Sequence, residues 1–411
     1  MSKTVSRECH DCRICGEDTL YPFLSLGSMP PSNGFVSSPE QDEQYFPLDV
    51  VVCENCNHVQ LRHTVDRDFL FSEYHYFSSA SDPLLEHFGT YADTLESEYL
   101  DPDDFVVEIG SNDGVLLSQF SDRISMLGVD PAENVTESAR ERGVETITAF
   151  FSPEVAEMIR EDYGAADAIC ANNVVGHIDD LRGLMRGLDI LLAPDGMFVM
   201  EVPYLVDLLS NNQFDTIYHE HISYFSIRAL ERLVAQFDME LFDVERIDIH
   251  GGSIRAYIQR EATDRRPSRK VHDLKKLELA MGLDRRETYD SFAQRVSQTR
   301  THITTLLDSL KDAGERIVGY GAPAKGNVLL NYCDIGPETL EYLLDTTPKK
   351  QGTFSPGMNI PVRSPDSFHE NPPAYALLLA WNYQPAILEK ESPYQDSGGQ
   401  FVVPIPYVDM P

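Results

Sequence analysis

Tyr218-His219-Glu220-His221 is the densest run of titratable side chains in the sequence, flanked by Ile217 on one side and Ile222-Ser223-Tyr224-Phe225 on the other. Such a block is poor core material. In a helix Tyr218 and His221 share a face; in a strand His219 and His221 do. Either geometry presents an imidazole and a second hydrogen-bonding group to one ligand, which suits proton transfer. A metal site is the rival, but His-x-His with one Glu lacks a further ligand set nearby. A second cluster, Asn172-Asn173-Val174-Val175-Gly176-His177, follows the apolar run Asp167-Ala168-Ile169-Cys170-Ala171. In a doubly wound sheet that place is the carboxyl edge, where ligands bind, so Asn173 and His177 are expected to face a reacting centre. A third, aromatic cluster, Tyr74-His75-Tyr76-Phe77-Ser78-Ser79, reads as a lid or a packed linker.

The elements that must position these groups are legible around Val106-Val107-Glu108-Ile109-Gly110-Ser111-Asn112-Asp113-Gly114, a strand running into a Gly-bracketed turn. Leu127-Gly128-Val129-Asp130 repeats the strand-then-acid pattern. A strand, a Gly turn, a helix and a second strand ending in a carboxylate bind a nucleoside at the sheet's carboxyl edge, with Asp130 suited to the ribose hydroxyls. There is no G-x-G-x-x-G, and the E-x-G-x-x-x-G form resembles motif I of class I S-adenosylmethionine (AdoMet) methyltransferases. Strands predicted at 105–109, 125–130, 167–172 and 197–202 alternate with helices at 133–142, 153–162 and 180–191. That alternation predicts an α/β fold with a central doubly wound parallel sheet. A helical periodicity over 84–98 leads into it.

Upstream, Cys12-Arg13-Ile14-Cys15 and Cys53-Glu54-Asn55-Cys56 form two C-x-x-C pairs, each resembling a zinc knuckle. Four thiolates so spaced can close a tetrahedral structural Zn²⁺ site, which a small module needs as a staple; unliganded thiols are the alternative. Cys9 sits at the same spacing before Cys12 and could displace a ligand, although Gly16 favours the Cys12/Cys15 pair. Cys170 and Cys333 read as buried small hydrophobes. The Pro- and Gly-rich stretch from Leu26 to Gly34 should be extended. A different unit is expected after about residue 245, with a loop and strand at His250-Gly251-Gly252-Ser253-Ile254-Arg255, a long polar helical region over 269–313, and its own small α/β sheet. The expected domains are therefore 1–68, 69–245 and 246–411.

The 411 residues carry 33 Lys plus Arg against 67 Asp plus Glu, a net charge of −34 spread along the whole chain. A nucleic-acid partner is thereby disfavoured. The pattern resembles a halophilic surface, whose self-repulsion is tolerated where molar salt shortens the screening length to about 3 Å; a mesophilic protein with an acidic surface is the alternative. Neither a membrane span nor a signal peptide is indicated, and a cytoplasmic location is expected.

Taken together, the motifs resemble the deoxysugar C-methyltransferase family, whose members methylate nucleotide-linked keto-deoxyhexoses, and the resemblance runs nearly end to end. It rests on the paired knuckles, Glu108 to Gly114, Asn173 with His177, Tyr218 to His221, His250 to Arg255, and Gly319-Tyr320-Gly321-Ala322-Pro323-Ala324-Lys325-Gly326-Asn327, in that order. The resemblance implies an N-terminal zinc-binding domain, a central AdoMet domain and a C-terminal Rossmann-like domain that helps bind a nucleotide sugar. It places His221 as general base, with Tyr218, His177 or Asn173 as donors to a developing enolate, Glu220 or His219 fixing the tautomer of the base, and Tyr76 in the lid. AdoMet is expected on Glu108, Gly110, Asn112, Asp113, Gly114, Asp130 and Asn172, and zinc on Cys12, Cys15, Cys53 and Cys56. The nucleotide sugar is expected on Ser253, Arg255, Tyr320, Gly321, Ala322, Lys325 and Asn327, with Arg255 and Lys325 facing a diphosphate and Tyr320 stacking on a base. A catalytically silent scaffold and an NAD-linked sugar epimerase or reductase are the competing readings; the missing G-x-G-x-x-G weighs against the second. The nucleotide, the sugar, the methylated carbon and the oligomeric state are not legible.

Overall fold

The computed structural model describes residues 5–71, 79, 82–263 and 265–410. Tyr76 and most of the aromatic cluster around it lie outside the described residues. All five residues of the strand Phe105–Ile109 are buried, as a parallel strand covered on both faces should be. It lies in a seven-stranded sheet with the order Met239–Ile247, Ser253–Arg260, Leu192–Pro203, Ala166–Asn172, Phe105–Ile109, Ser125–Asp130, Thr146–Thr148. Ser253–Arg260 runs antiparallel to both neighbours, so the sheet is mixed, whereas the alternation of elements predicts a parallel one.

The same strand lies past residue 245 yet pairs into the central sheet. Met239–Ile247 and Ser253–Arg260 are two arms of one hairpin, and Gly251 and Gly252 turn it at φ 96° and 116°. A Cβ on Gly252 would stand 2.7 Å from the Asp207 side chain, so both backbone angle and space require glycine there. The Gly pair is a hairpin turn inside the sheet, and the sheet reaches Arg260.

The crossover helices start where the sequence supplies caps. Ser152 accepts from the Val155 amide ahead of Pro153–Asp162, with Pro in the first turn. The Asp180 side chain accepts from the Gly183 amide ahead of Leu181–Leu191. Both satisfy amides that have no partner within the helix. The polar region over 269–313 is two helices, Arg269–Ala280 and Arg286–Asp312, parted where Gly282 takes φ 73°, the left-handed angle that ends a helix.

The N-terminal module is a four-stranded antiparallel sheet with the order Ser223–Tyr224, Val59–Leu61, Phe46–Cys53, Leu20–Met29. Its first strand comes from the segment just after His221, so the densest titratable run in the chain is stitched to the cysteine module. A third sheet, parallel throughout, orders Val362–Arg363, Leu343–Leu344, Ile317–Tyr320, Tyr375–Leu378 and Gln400–Val402. No helix among the described residues is long and apolar enough to cross a membrane.

Candidate active site and metal centre

The sulfurs of Cys12, Cys15, Cys53 and Cys56 all lie within 4.8 Å of one another. Cys12 and Cys56 are 3.4 Å apart and Cys15 and Cys53 3.5 Å, close to the ~3.8 Å edge of a tetrahedron with Zn–S bonds of ~2.3 Å. Donor type, number and spacing fit Zn²⁺. Cys9 does not compete: its sulfur lies 3.2 Å from Thr64 Oγ1 and accepts from Arg13 Nη2. Cys170 and Cys333 are buried away from the cluster.

A cavity of about 1160 Å³ opens over the carboxyl ends of the central strands and reaches the other two sheets. Gly110, Asn112, Asp130, Asn172 and Asn173 line it, as do His177, Tyr218, His219, Glu220 and His221, and Lys325 and Lys350 come from the C-terminal part. Gly110 takes φ 69° and a Cβ there would stand 2.8 Å from Val174 Cγ2, so only glycine keeps that floor open. Asp130 accepts from the Asn112 and Ala132 amides, each at 3.0 Å. Its lining carboxylate, the Gly110 turn and the buried oxygens Oδ1 of Asn172 and Asn173, which have no partner among the described residues, suit a nucleoside with hydroxyl and amino groups to place.

Three residues expected at the cofactor lie off the cavity wall. Glu108 accepts from Asn172 Nδ2 at 3.0 Å beneath the strand ends, and burial pushes its carboxyl up to about 8. Asp113 turns away to Arg142, 3.3 Å off. Gly114 is a packing glycine, whose added Cβ would meet Val144 and Ala139 within 3.3 Å at φ 73°.

His221 is held by Thr216. Its Nδ1 lies 2.8 Å from the Thr216 carbonyl oxygen; a carbonyl only accepts, so the proton sits on Nδ1 and the lone pair on Nε2. The Tyr218 ring lies 3.9 Å from the imidazole, centroid to centroid, and His177 stacks on it at 5.1 Å. Burial foremost, then the neighbouring His177, holds His221 well below the usual imidazole range, and burial takes His177 to about 4. Both rings are neutral at neutral pH.

The tautomer was expected to be set by Glu220 or His219, and neither bonds it. Glu220 accepts from Asn33 Nδ2 at 2.7 Å, and burial pushes its carboxyl up to about 7. His219 Nε2 lies 3.1 Å from the Phe46 carbonyl. Successive side chains diverge along the turn, so both neighbours of the base reach into the N-terminal module.

Most residues expected at a diphosphate are likewise occupied elsewhere. Arg255 is 5 % exposed and donates through Nε to Glu201 at 2.6 Å, its guanidinium carbon 3.7 Å from the Tyr91 ring centre. Glu201 also meets His87 Nε2 at 2.9 Å. Ser253 donates to the Ile249 carbonyl, Asn327 to the Ser32 carbonyl, and Tyr320 to Glu391 at 2.7 Å in an aromatic nest with Phe368 and Phe401. The loop amides are taken too, Gly321 by the Leu344 carbonyl and Ala322 by Asp345. Of that set, Lys325 reaches the cavity. Removing Arg255 strands a Glu201 that is 1 % exposed, so Arg255→Met should cost about 3–5 kcal/mol of stability. Thermal or denaturant unfolding measures that loss; unchanged stability would contradict the pairing.

Sequence reasoning missed Thr216, which acts through its backbone and leaves no side-chain signal, and also Asn33, Asp215, Trp381 and the lining residue His250. His250 takes φ 56°, unusual for a non-glycine residue, and burial lowers it to about 4. Its place beside Gly251-Gly252 was the available sign.

Comparisons with known proteins agree with the three-part layout. Residues 12–71 match a zinc binding domain, 84–244 a methyltransferase domain, and 248–406 a C-methyltransferase C-terminal domain. C-methyltransferase NovU of Streptomyces niveus is 40% identical over 406 residues, covering 98% of this chain and 97% of its own. Among solved structures, a SAM-dependent methyltransferase from Anabaena variabilis shares 19% identity over 42% of this chain and 84% of its own, with a TM-score of 0.34. Magnesium protoporphyrin IX methyltransferase from Synechocystis with bound SAH shares 11% over 43% and 82%, also at 0.34.

Proposed function

The chain belongs to the AdoMet-dependent C-methyltransferases that join a zinc-binding domain, a class I methyltransferase domain and a C-terminal domain, and from that premise we propose that its acceptor is a nucleotide-linked keto-deoxysugar. His221 removes the proton next to the ketone, and the resulting enolate carbon is methylated. The observation that carries this reading is His221, its Nδ1 anchored on Thr216, in the wall of the cavity that runs over the Gly110–Asp130 strand ends.

Bound AdoMet would supply an electrophilic methyl group on a sulfonium. Gly110, Asn112, Asp130, Asn172 and Asn173 would hold it. The chain's own task is the proton. A C–H beside a ketone is weaker as an acid than an imidazolium by about ten pKa units or more, roughly 14 kcal/mol at 1.36 per unit. Burial widens that gap by weakening His221 as a base. Donors aimed at the enolate oxygen must therefore carry much of the barrier, and Tyr218, His177 and Asn173, which line the same cavity as His221, are the candidates.

In this division of labour the module to residue 68 staples the catalytic turn, the mixed sheet carries the cofactor, and the C-terminal part closes over the nucleotide from the Lys350 side. The net charge of −34 suits a cytoplasmic protein of concentrated salt. The test is incubation of UDP- and dTDP-4-keto-6-deoxysugars with AdoMet in dilute buffer and in molar KCl. One sugar should gain a methyl at the carbon next to its ketone, faster in salt. Methylation at oxygen, or of none of them, would refute the acceptor class.

A further inference from the structure

Lys325 brings a cation to the reacting end of the cavity. It sits in the first turn of Ala324–Cys333 and lines the cavity. Its ammonium stands 4.7 Å from the Trp381 ring centre, and no acceptor among the described residues lies within hydrogen-bonding distance of it. Its field reaches His221 and His250, both of which it presses further toward the neutral form.

The counter-charge lies behind it. Asp215 is 0% exposed; its Oδ2 accepts from Trp381 Nε1 at 2.6 Å, and its Oδ1 has no partner among the described residues. Trp381 therefore holds the carboxylate on its edge and the ammonium on its face. An ammonium that lines the cavity with no acceptor among the described residues keeps its donors for a ligand oxygen. A diphosphate at the Gly319–Gly321 loop is disfavoured as that ligand. The loop's amides are spent on Leu344 and Asp345, and the Asp345 carboxylate would repel an anion placed there.

We propose that Lys325 is a catalytic residue that donates a hydrogen bond to the substrate's ketone oxygen while His221 takes the neighbouring proton, with Asp215 as the carboxylate that positions it. The assignment rests on the keto-sugar reading above. As the C–H bond breaks, its proton goes to His221 Nε2 and its electron pair forms C=C, leaving the former carbonyl oxygen anionic against the ammonium. Without a methyl donor the enolate recovers a proton from solvent-exchanged His221, so the step reads out as isotope exchange.

The experiment follows deuterium entry at the carbon next to the ketone of dTDP- and UDP-4-keto-6-deoxyglucose in D₂O, in the absence of AdoMet. Lys325→Met should lower the exchange kcat by about 10²- to 10³-fold, the loss typical of one oxyanion donor, with KM little changed. A raised KM with intact exchange kcat would overturn the role. Asp215→Asn supplies a second readout. The groups facing the ammonium are Asp215, His221 and His250; burial holds its pKa below the usual lysine value, and Asp215 offsets part of that. Removing that negative charge lowers the pKa further, so the alkaline limb of the exchange profile should move to lower pH. An unmoved limb would overturn the positioning role. Exchange by wild type and Lys325→Met alike defeats this assignment alone, whereas no exchange by wild type defeats the keto-sugar reading and this assignment with it.

Discussion

His221→Ala should lower isotope exchange and methyl transfer together, by about 10²- to 10⁴-fold, the contribution typical of a positioned general base, while AdoMet affinity stays unchanged. The two effects separate because His221 belongs to the turn anchored on Thr216 and not to the Gly110–Asp130 strand ends. The wild-type pH profile carries the same signature. Burial disfavours the charged imidazole, so the base form persists at lower pH and the acid limb should fall below 6.5, the ordinary histidine value. Steady-state rates against pH, paired with calorimetric titration of AdoMet, check both. Full exchange in the variant would remove His221 from the base role.

Loss of zinc should be almost as damaging, although the metal lies away from the reacting centre. The structure couples the two. Leu61 donates its amide to the Ile222 carbonyl at 2.9 Å, Ser223 pairs with Gln60, His219 reaches the Phe46 carbonyl, and Asn33 holds Glu220. Every residue from His219 to Ser223 except the base is thus tied to the module. Structural zinc contributes about 10–16 kcal/mol in small zinc-folded units, more than a core of this size can replace. Cys53→Ser, or chelation, should therefore lower the melting temperature and reduce exchange by at least about 10²-fold, as misplacement of catalytic groups does. AdoMet binding, which uses the central sheet, should survive. Metal content, melting temperature and exchange rate measured on one preparation decide it; a zinc-free protein with normal exchange would contradict the coupling.

What the sequence disclosed divides along physical lines. Phe105–Ile109 and Ser125–Asp130 fall on their predicted bounds because a buried parallel strand is a continuous apolar run and the Gly turn after it is local. The four zinc ligands were legible because C-x-x-C spacing is itself the chelate geometry. Direction across the sheet was not legible. Gly251-Gly252 reads in the sequence as a loop entering the strand of a new unit, and only the pairing of that strand with Met239–Ile247 and Leu192–Pro203 makes it a hairpin turn inside the sheet. Once that strand is antiparallel, Arg255 falls opposite Glu201 and is spent on it. The Tyr218–His221 run announced acid–base chemistry, but which neighbour orients the base depends on side-chain divergence in a turn. The answer was a backbone carbonyl, which no residue type encodes. The meeting of Lys325 with Asp215 and Trp381 joins three distant parts of the chain and exists only in the fold.

The central claim is that this chain makes an enolate next to a ketone and methylates its carbon. The most direct measurement is deuterium wash-in by the wild-type protein on a panel of UDP- and dTDP-4-keto-6-deoxysugars in D₂O at high salt, followed by addition of AdoMet. The account predicts exchange at the carbon next to the ketone of one sugar, and conversion of that sugar to a product one methylene heavier once AdoMet is present. Confirmed AdoMet binding with no exchange on any sugar would contradict it.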